Sequence, residues 1–270
     1  MIRRKNTKPA DDLASDGARD LLMVNSVEKT FRVLRVFDGM RPSLSLSEIS
    51  ELAGLDVSAT QRFTHSLVKM GYLEKNPVNK RFALTVKVLE LGHSYVRSSN
   101  LVKQAMPYLL HINRETEETT NLTILNGTDI VFVSRYLSRH VLNADVVIGT
   151  RLPAYCTAPG RAILSHLSRL EVEEILRNTE FSAVTSHTPR TAAAVLNKTE
   201  QARAKGYALQ VEEYFYGDMS VAAAVVDAQG IPLGAINIAV STSRYSPADL
   251  ETKFAPLVVA AARSLLDVSR

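Results

Sequence analysis

The sequence holds a single cysteine, Cys156, which excludes an internal disulfide framework and fits a reducing compartment; the protein is expected to be cytoplasmic. No apolar run approaches the ~20 residues needed to span a bilayer, and the longest, such as residues 257–262, fall far short. The basic start Met1-Ile2-Arg3-Arg4-Lys5 is not followed by an apolar segment, so no secretory signal and no membrane partner are expected. There is no phosphate-binding glycine loop, no internal repeat and no low-complexity segment. The histidines at 65, 93, 111, 140, 166 and 187 include no pair at metal-ligand spacing, so no metal and no cofactor are expected. Cys156 lies ten residues from His166, but a cysteine hydrolase also needs an orienting group and an oxyanion hole. Glu212 and Glu213 are adjacent on an expected strand and would point to opposite faces, which is poor geometry for a carboxylate pair. The chain is expected not to be an enzyme.

What is present is ordinary globular material, 46% hydrophobic and 22% charged, in 270 residues. At ~100–200 residues per domain, that length predicts two domains. The net charge of +4 is unevenly placed: residues 1–98 carry 16 Lys and Arg against 11 Asp and Glu, and the remainder is nearly balanced. Chance would account for so small an excess; a polyanion partner for the N-terminal part would also.

Residues 1–24 lack hydrophobic periodicity and are expected to form a disordered tail, whose Arg3, Arg4, Lys5 and Lys8 could touch DNA phosphates or simply be solvated. Asn25 and Glu28 stand at capping-box spacing, and Val27, Phe31, Leu34 and Phe37 at helical spacing predict a helix to about Met40. A second capping box, Ser45 and Glu48, opens a short helix closed by Gly54. A third helix is expected over residues 57–70, with Phe63, Leu67 and Met70 inward and Ser58, Arg62, His65 and Lys69 outward. Residues 72–75 and 80–84 then read as two short strands around Asn76-Pro77-Val78-Asn79.

Helix, short helix, turn, helix, hairpin is the order of a winged helix-turn-helix, whose third helix enters the major groove. That domain is placed at 25–85, a linker helix at 86–98 and an α/β effector-sensing domain of α+β, GAF-like type at 99–270. In the latter, strands are expected at 119–125, 130–136, 141–148, 207–213, 219–227 and 233–240. Helices are expected at 101–118, 157–168, 171–178, 192–205 and 247–268. A hairpin turn is expected at Asp227-Ala228-Gln229-Gly230.

The residues Ser45-Leu46-Ser47-Glu48-Ile49-Ser50, Gly54-Leu55, 58–67 and Gly71-Tyr72-Leu73 resemble the N-terminal part of the IclR-type bacterial regulators. Gly149-Thr150-Arg151-Leu152-Pro153-Ala154-Tyr155 with Thr157-Ala158-Pro159-Gly160-Arg161-Ala162-Ile163-Leu164 is similar to that family's strand-to-helix signature. Lys205-Gly206-Tyr207-Ala208 with Glu212-Glu213 and Gly217 is similar to its second. The Gly149–Tyr155 stretch looks closest to the subgroup governing catabolism of aromatic acids.

On this reading Ser58, Ala59, Gln61, Arg62 and His65 face DNA bases, with Arg to guanine and Gln to adenine as the usual bidentate pairs. Ser58 and Lys69 suit phosphate, and Lys80 and Arg81 of the wing suit the backbone or minor groove. A solvated helix face is the plain alternative. The resemblance implies an effector site near the start of the helix at Thr157, where Thr157, Ala158 and Gly160 would offer amides to an anion, although Pro159 has none to give. It also implies polar pocket positions at Gln210, Ser220, Asn237 and Ala239. Tyr155 and Met219 would be pocket wall or plain core. The expected function is a DNA-binding transcriptional regulator of a catabolic operon, with double-stranded operator DNA and a small carboxylic acid, aromatic by the subgroup resemblance, as partners. A homodimer or dimer of dimers is expected. The rival is a ligand sensor whose helix-turn-helix makes protein contacts.

Overall fold

The computed structural model describes residues 22–140 and 146–268. The tail expected over 1–24 therefore lies outside the described residues up to position 21. Contacts group the rest into two units, one ending at Glu90 and the other starting at Leu91.

The first unit contains α1 (Asn25–Arg35), α2 (Leu46–Ala53), α3 (Val57–Lys69) and an antiparallel hairpin of β1 (Leu73–Lys75) and β2 (Phe82–Leu84). This is the winged helix-turn-helix order. Its core is Val33, Phe37, Leu44, Ile49, Leu67, Leu73 and Phe82. The Ser45–Glu48 capping box forms in both directions, and Gly54 closes α2 in the left-handed region at φ 59°. Three details differ from the sequence reading. The N-cap of α1 is Val24, with no side-chain capping bond, so the Asn25–Glu28 box is not made. Helix α1 ends at Arg35, because Asp38 takes the amides of Met40 and Arg41 into a turn of its own. In α3 the buried stripe is Ala59, Thr60, Thr64 and Leu67; Phe63 is half-buried and Met70 exposed. Thr60 and Thr64 can go inside because their hydroxyls donate to the carbonyls of Asp56 and Thr60 within the helix.

A 3-10 turn (Val86–Val88) leads into α4 (Leu89–Ser98) and then α5 (Asn100–Thr116). The second unit is built on a six-stranded antiparallel sheet ordered β5-β4-β3-β8-β7-β6. Its strands are β3 (Thr119–Asn126), β4 (Asp129–Tyr136), β5 (Arg151–Pro153), β6 (Ala208–Val211), β7 (Asp218–Val226) and β8 (Pro232–Ser241). The helices α6 (Ala158–Leu164), α7 (Arg169–Arg177) and α8 (Ala192–Lys205) lie between β5 and β6 in sequence. After β8 come a single helical turn (α9, Pro247–Asp249), a wider π turn (Leu250–Phe254) and α10 (Ala255–Val268). Of the strand expected at 141–148, residues 141–145 lie outside the described residues, and 146–148 are irregular. The helix expected over 157–168 stops at Leu164.

Side chains alternate across a strand, and here the two faces differ in size. Leu122, Met219, Val221, Val225, Ile236, Ile238 and Val240 pack with α5 and α10 in one core. The opposite face carries Asn121, Ser220, Ala222, Ala235, Asn237 and Ala239, small or polar groups under α6. That imbalance leaves space between α6 and the sheet, and the space is the pocket described next.

Candidate DNA-binding face and ligand pocket

The acid at Asp56 starts α3, its Oδ1 accepting from the Ala59 amide at 2.7 Å. From there Ser58, Gln61, Arg62, His65 and Lys69 are all exposed and share one side of the helix. Ala59 is a correction. It is 5% exposed and turned into the unit's interior, so it has no route to a base edge. On the wing, Lys80 is exposed, with φ 58° and its Nζ on the Pro77 carbonyl at 2.6 Å. Arg81 is half-buried, bonded to the Ser43 carbonyl at 2.9 Å and to Glu48 at 2.8 Å, so its charge also braces the wing against α2. Hydrogen bonds from Ser45 and the neighbouring Arg81 charge hold the Glu48 carboxyl down at about 2.

The pocket lies between the sheet and the start of α6, with Thr157, Ala158 and Pro159 above Gln210, Ser220, Asn237 and Ala239. Six of the nine expected effector residues are thus brought together. The other three are not. Tyr155 is 1% exposed, stacks edge-on with Phe181 and donates its hydroxyl to the Ser182 carbonyl at 2.8 Å, so it is core. Met219 alternates onto the other sheet face, among the side chains under α10. Gly160 presses on the chain: a β-carbon there would sit 2.2 Å from the Ala154 oxygen. Its amide is also taken, by Thr157 Oγ1 at 3.3 Å. The amides of Thr157 and Arg161 bond to Ala154 and Thr157 carbonyls, and Pro159 has none. At most the Ala158 amide remains, in line with the expectation from Pro159 that this helix start makes a poor anion clasp by itself.

The polar groups facing the cavity lie instead on the sheet. Arg135 Nη1 donates to Asn121 Oδ1 at 2.9 Å, Asn121 Nδ2 to Asn237 Oδ1 at 3.2 Å, and Asn237 Nδ2 to Ser220 Oγ at 3.1 Å. The strand register explains the row, since Asn121 is directly opposite both Arg135 and Asn237. Beside it, Asp218 Oδ2 accepts from Gln210 Nε2 at 2.6 Å. Burial pulls the Arg135 guanidinium below its usual pKa, and the negative charge of Asp218 opposes that pull. Ile130, Phe132, Val146, Leu152, Tyr214 and Phe215 supply an apolar wall. The cavity measures about 50 Å³. At ~10–15 Å³ for each water, it has room for about three to five. Sequence reasoning missed Asn121, Arg135 and Asp218. Asn121 and Arg135 stand in strands of mixed polarity, and only the pairing register turns them into one face.

Among the described residues no cluster of His, Cys, Asp and Glu could hold a metal, and no helix is long and apolar enough to cross a membrane. Glu213 and Glu212 are no carboxylate pair: Glu213 is buried against Arg161, and Glu212 has left strand β6 with φ 53°.

The chain matches the IclR helix-turn-helix domain over residues 26–77 and the C-terminal region described as bacterial transcriptional regulator IclR over residues 93–267. It is 31% identical over 243 residues to the Pca regulon regulatory protein of Pseudomonas putida, covering 90% of this chain and 83% of that one. A solved transcriptional-regulator structure from Rhodococcus sp. RHA1 shares 31% identity at a TM-score of 0.77, covering 92% and 100% of the two chains. An IclR homologue from Microbacterium hydrocarbonoxydans, solved with 4-hydroxybenzoate, has the same fold at 20% identity and a TM-score of 0.74, covering 90% and 98%.

Proposed function

The chain belongs to the IclR family of bacterial transcriptional regulators, and from that premise we propose that it controls a catabolic promoter in response to a small carboxylic acid with an aromatic body. The observation that carries the ligand class is the make-up of the pocket: a guanidinium and a row of amides and a hydroxyl on its floor, with Ile130, Phe132, Leu152 and Phe215 on its wall. A flat acid matches both parts. The Pca regulon relative and the 4-hydroxybenzoate-bound homologue support the same class. A ring exceeds the cavity as it stands, so binding must move wall side chains. A ligand that switches a regulator must favour one arrangement over another, and such displacement is a means to that.

On DNA, Ser58, Gln61, Arg62, His65 and Lys69 of α3 and Lys80 of the wing make the contacting set. One winged domain covers little DNA, so a homodimer reading two half-sites, or a pair of dimers, is the working form. Val86, Leu89 and Leu91, at 80%, 64% and 58% exposure, are the apolar residues left for such a seam. Sedimentation giving a monomer at micromolar concentration, with and without DNA, overturns the dimer.

The pocket is tested by melting curves of the whole protein with aromatic and aliphatic acids. A ligand at a hundred times its dissociation constant stabilises by ~2.7 kcal/mol, an easily seen shift. Ser220→Ala and Asn237→Ala should diminish that response. If both leave it intact, the ligand is elsewhere.

A further inference from the structure

Strand β6 ends the sheet and has a neighbour on one side only. Antiparallel partners exchange backbone bonds at every second residue. Glu212 donates to the Asp218 carbonyl, and the register sets Gln210 opposite Ser220 and Ala208 opposite Ala222. Residues 208, 210 and 212 therefore turn their backbone groups to β7, while the amides of Leu209 and Val211 and the Val211 carbonyl point outward. Arg161 answers the outward carbonyl of Leu209. An edge of this kind is a template for one more strand.

The space for that strand is there. A groove of about 360 Å³ runs along β6, lined by its consecutive residues 207–211 and by Lys198, Gln201, Ala202 and Lys205 of α8. Those four share one face of the helix, being spaced as neighbours on its surface. Side chains alternate across a strand, so an added segment turns every second one to α8 and the others to the opposite face. On that opposite face stand Tyr207, Leu209 and Val211, all half-buried, which leaves part of their apolar surface uncovered. The α8 side carries surplus positive charge. Glu213 is already held by two bonds from Arg161, so Lys198, 3.0 Å from it, is an extra cation. Lys205 pairs with Glu251 at 2.7 Å, but the two side chains are 45% and 41% exposed, and water and salt weaken such a pair. A second copy of the chain fits poorly, because two such edges laid antiparallel would bring α8 and its lysines against their own copies.

We propose that the groove between β6 and α8 is a strand-addition site for an extended protein segment of alternating acidic and apolar residues, its carboxylates facing α8. Backbone bonds to Leu209 and Val211 supply the affinity, and the side chains on the two faces supply the pattern. The four residues of β6 set the length that pairs, ~13 Å at ~3.3 Å per residue.

The test is fluorescence anisotropy of labelled peptides with the whole protein at physiological salt. Glu-Val-Glu-Val-Glu-Val should bind at least tenfold more tightly than Lys-Val-Lys-Val-Lys-Val and than the block peptide Glu-Glu-Glu-Val-Val-Val. Hydrogen exchange at the Leu209 and Val211 amides should slow at least tenfold with the alternating acidic peptide, and exchange in α3 should not change. Val211→Pro removes an outward amide and none that β7 uses, so it should weaken that peptide tenfold or more in a protein that still folds. Lys205→Glu should shift the preference towards the lysine peptide, a gain that misfolding cannot give. If the block peptide binds as tightly as the alternating one, or if exchange slows in α3 and not in β6, the strand-addition site is overturned. If no peptide binds, the proposal also falls, and protection of Leu209 and Val211 that rises with protein concentration alone would assign the edge to a second copy.

Discussion

Arg161 and Glu213 are joined by two hydrogen bonds, Nη1 to Oε2 at 2.5 Å and Nη2 to Oε1 at 3.0 Å, with 1% and 4% of their side chains exposed. Arg161 also donates to the carbonyls of Tyr155 and Leu209, and Lys198 reaches the same carboxylate at 3.0 Å. The pair ties α6, which roofs the pocket, to the far end of β6. Removing Arg161 leaves Glu213 with Lys198 alone and deprives the Tyr155 and Leu209 carbonyls of their donor, at a cost approaching the ~3–5 kcal/mol of a broken buried pair. Arg161→Ala should lower the urea midpoint accordingly. Arg161→Met combined with Glu213→Leu should lose much less, and equal losses in the two variants would contradict this account.

Gly160 is there for clearance. A β-carbon at that position would meet the Ala154 oxygen at 2.2 Å and its Cα at 2.4 Å, both backbone atoms of the preceding turn. Gly160→Ala must therefore push α6 outward. A loss of ~1–3 kcal/mol is expected, as for other overpacked sites. Thermal unfolding measures it, and an unchanged melting temperature would show that the turn gives way freely.

On DNA, Arg62→Ala should weaken operator binding and relax base preference, since a good bidentate contact carries ~1–3 kcal/mol of discrimination. Lys69→Ala should weaken all sequences alike and flatten the logarithmic salt slope by roughly one unit. Parent-like binding of operator and random DNA by the Arg62 variant would remove α3 from the groove.

Burial pushes the Cys156 thiol up to about 12, with the charge of Arg161 opposing it. The side chain is fully covered, so a maleimide at pH 8 should label the folded protein only as fast as it unfolds. The raised value also fixes a sign. The folded form holds its proton longer than the unfolded one, so this contribution to stability is complete below pH 9.0 and is lost as pH rises towards 12. Rapid labelling in buffer without denaturant would show that the residue is reachable.

The N-terminal unit was largely legible because its signals are local. Ser45, Glu48 and Gly54 announce α2 through caps, and hydroxyls and long polar groups at 58, 62, 65 and 69 mark one side of α3. The misses there have local causes too: Asp38 diverts the chain before Met40, and Ala59, though beside exposed neighbours, is small enough to go inside. The pocket was only half legible. Gln210, Ser220, Asn237 and Ala239 came through resemblance, whereas Arg135 and Asn121 gain meaning from strand pairing between β4, β3 and β8, which spacing along the chain does not encode. Met219 shows the same limit from the other side. It neighbours Ser220 in sequence, yet the pleat sends the two to opposite faces.

Arg135, Asn121, Asn237 and Ser220 each stand on a different strand and are linked through side chains alone, while the ladder between strands runs through the backbone. The polar lining of the cavity and the ladder of the sheet therefore depend on different atoms. Exchanging one member of the row changes the polarity of the cavity and deprives a buried neighbour of its bond, at ~1–3 kcal/mol, while the backbone pairing that holds the strands together keeps every one of its own bonds.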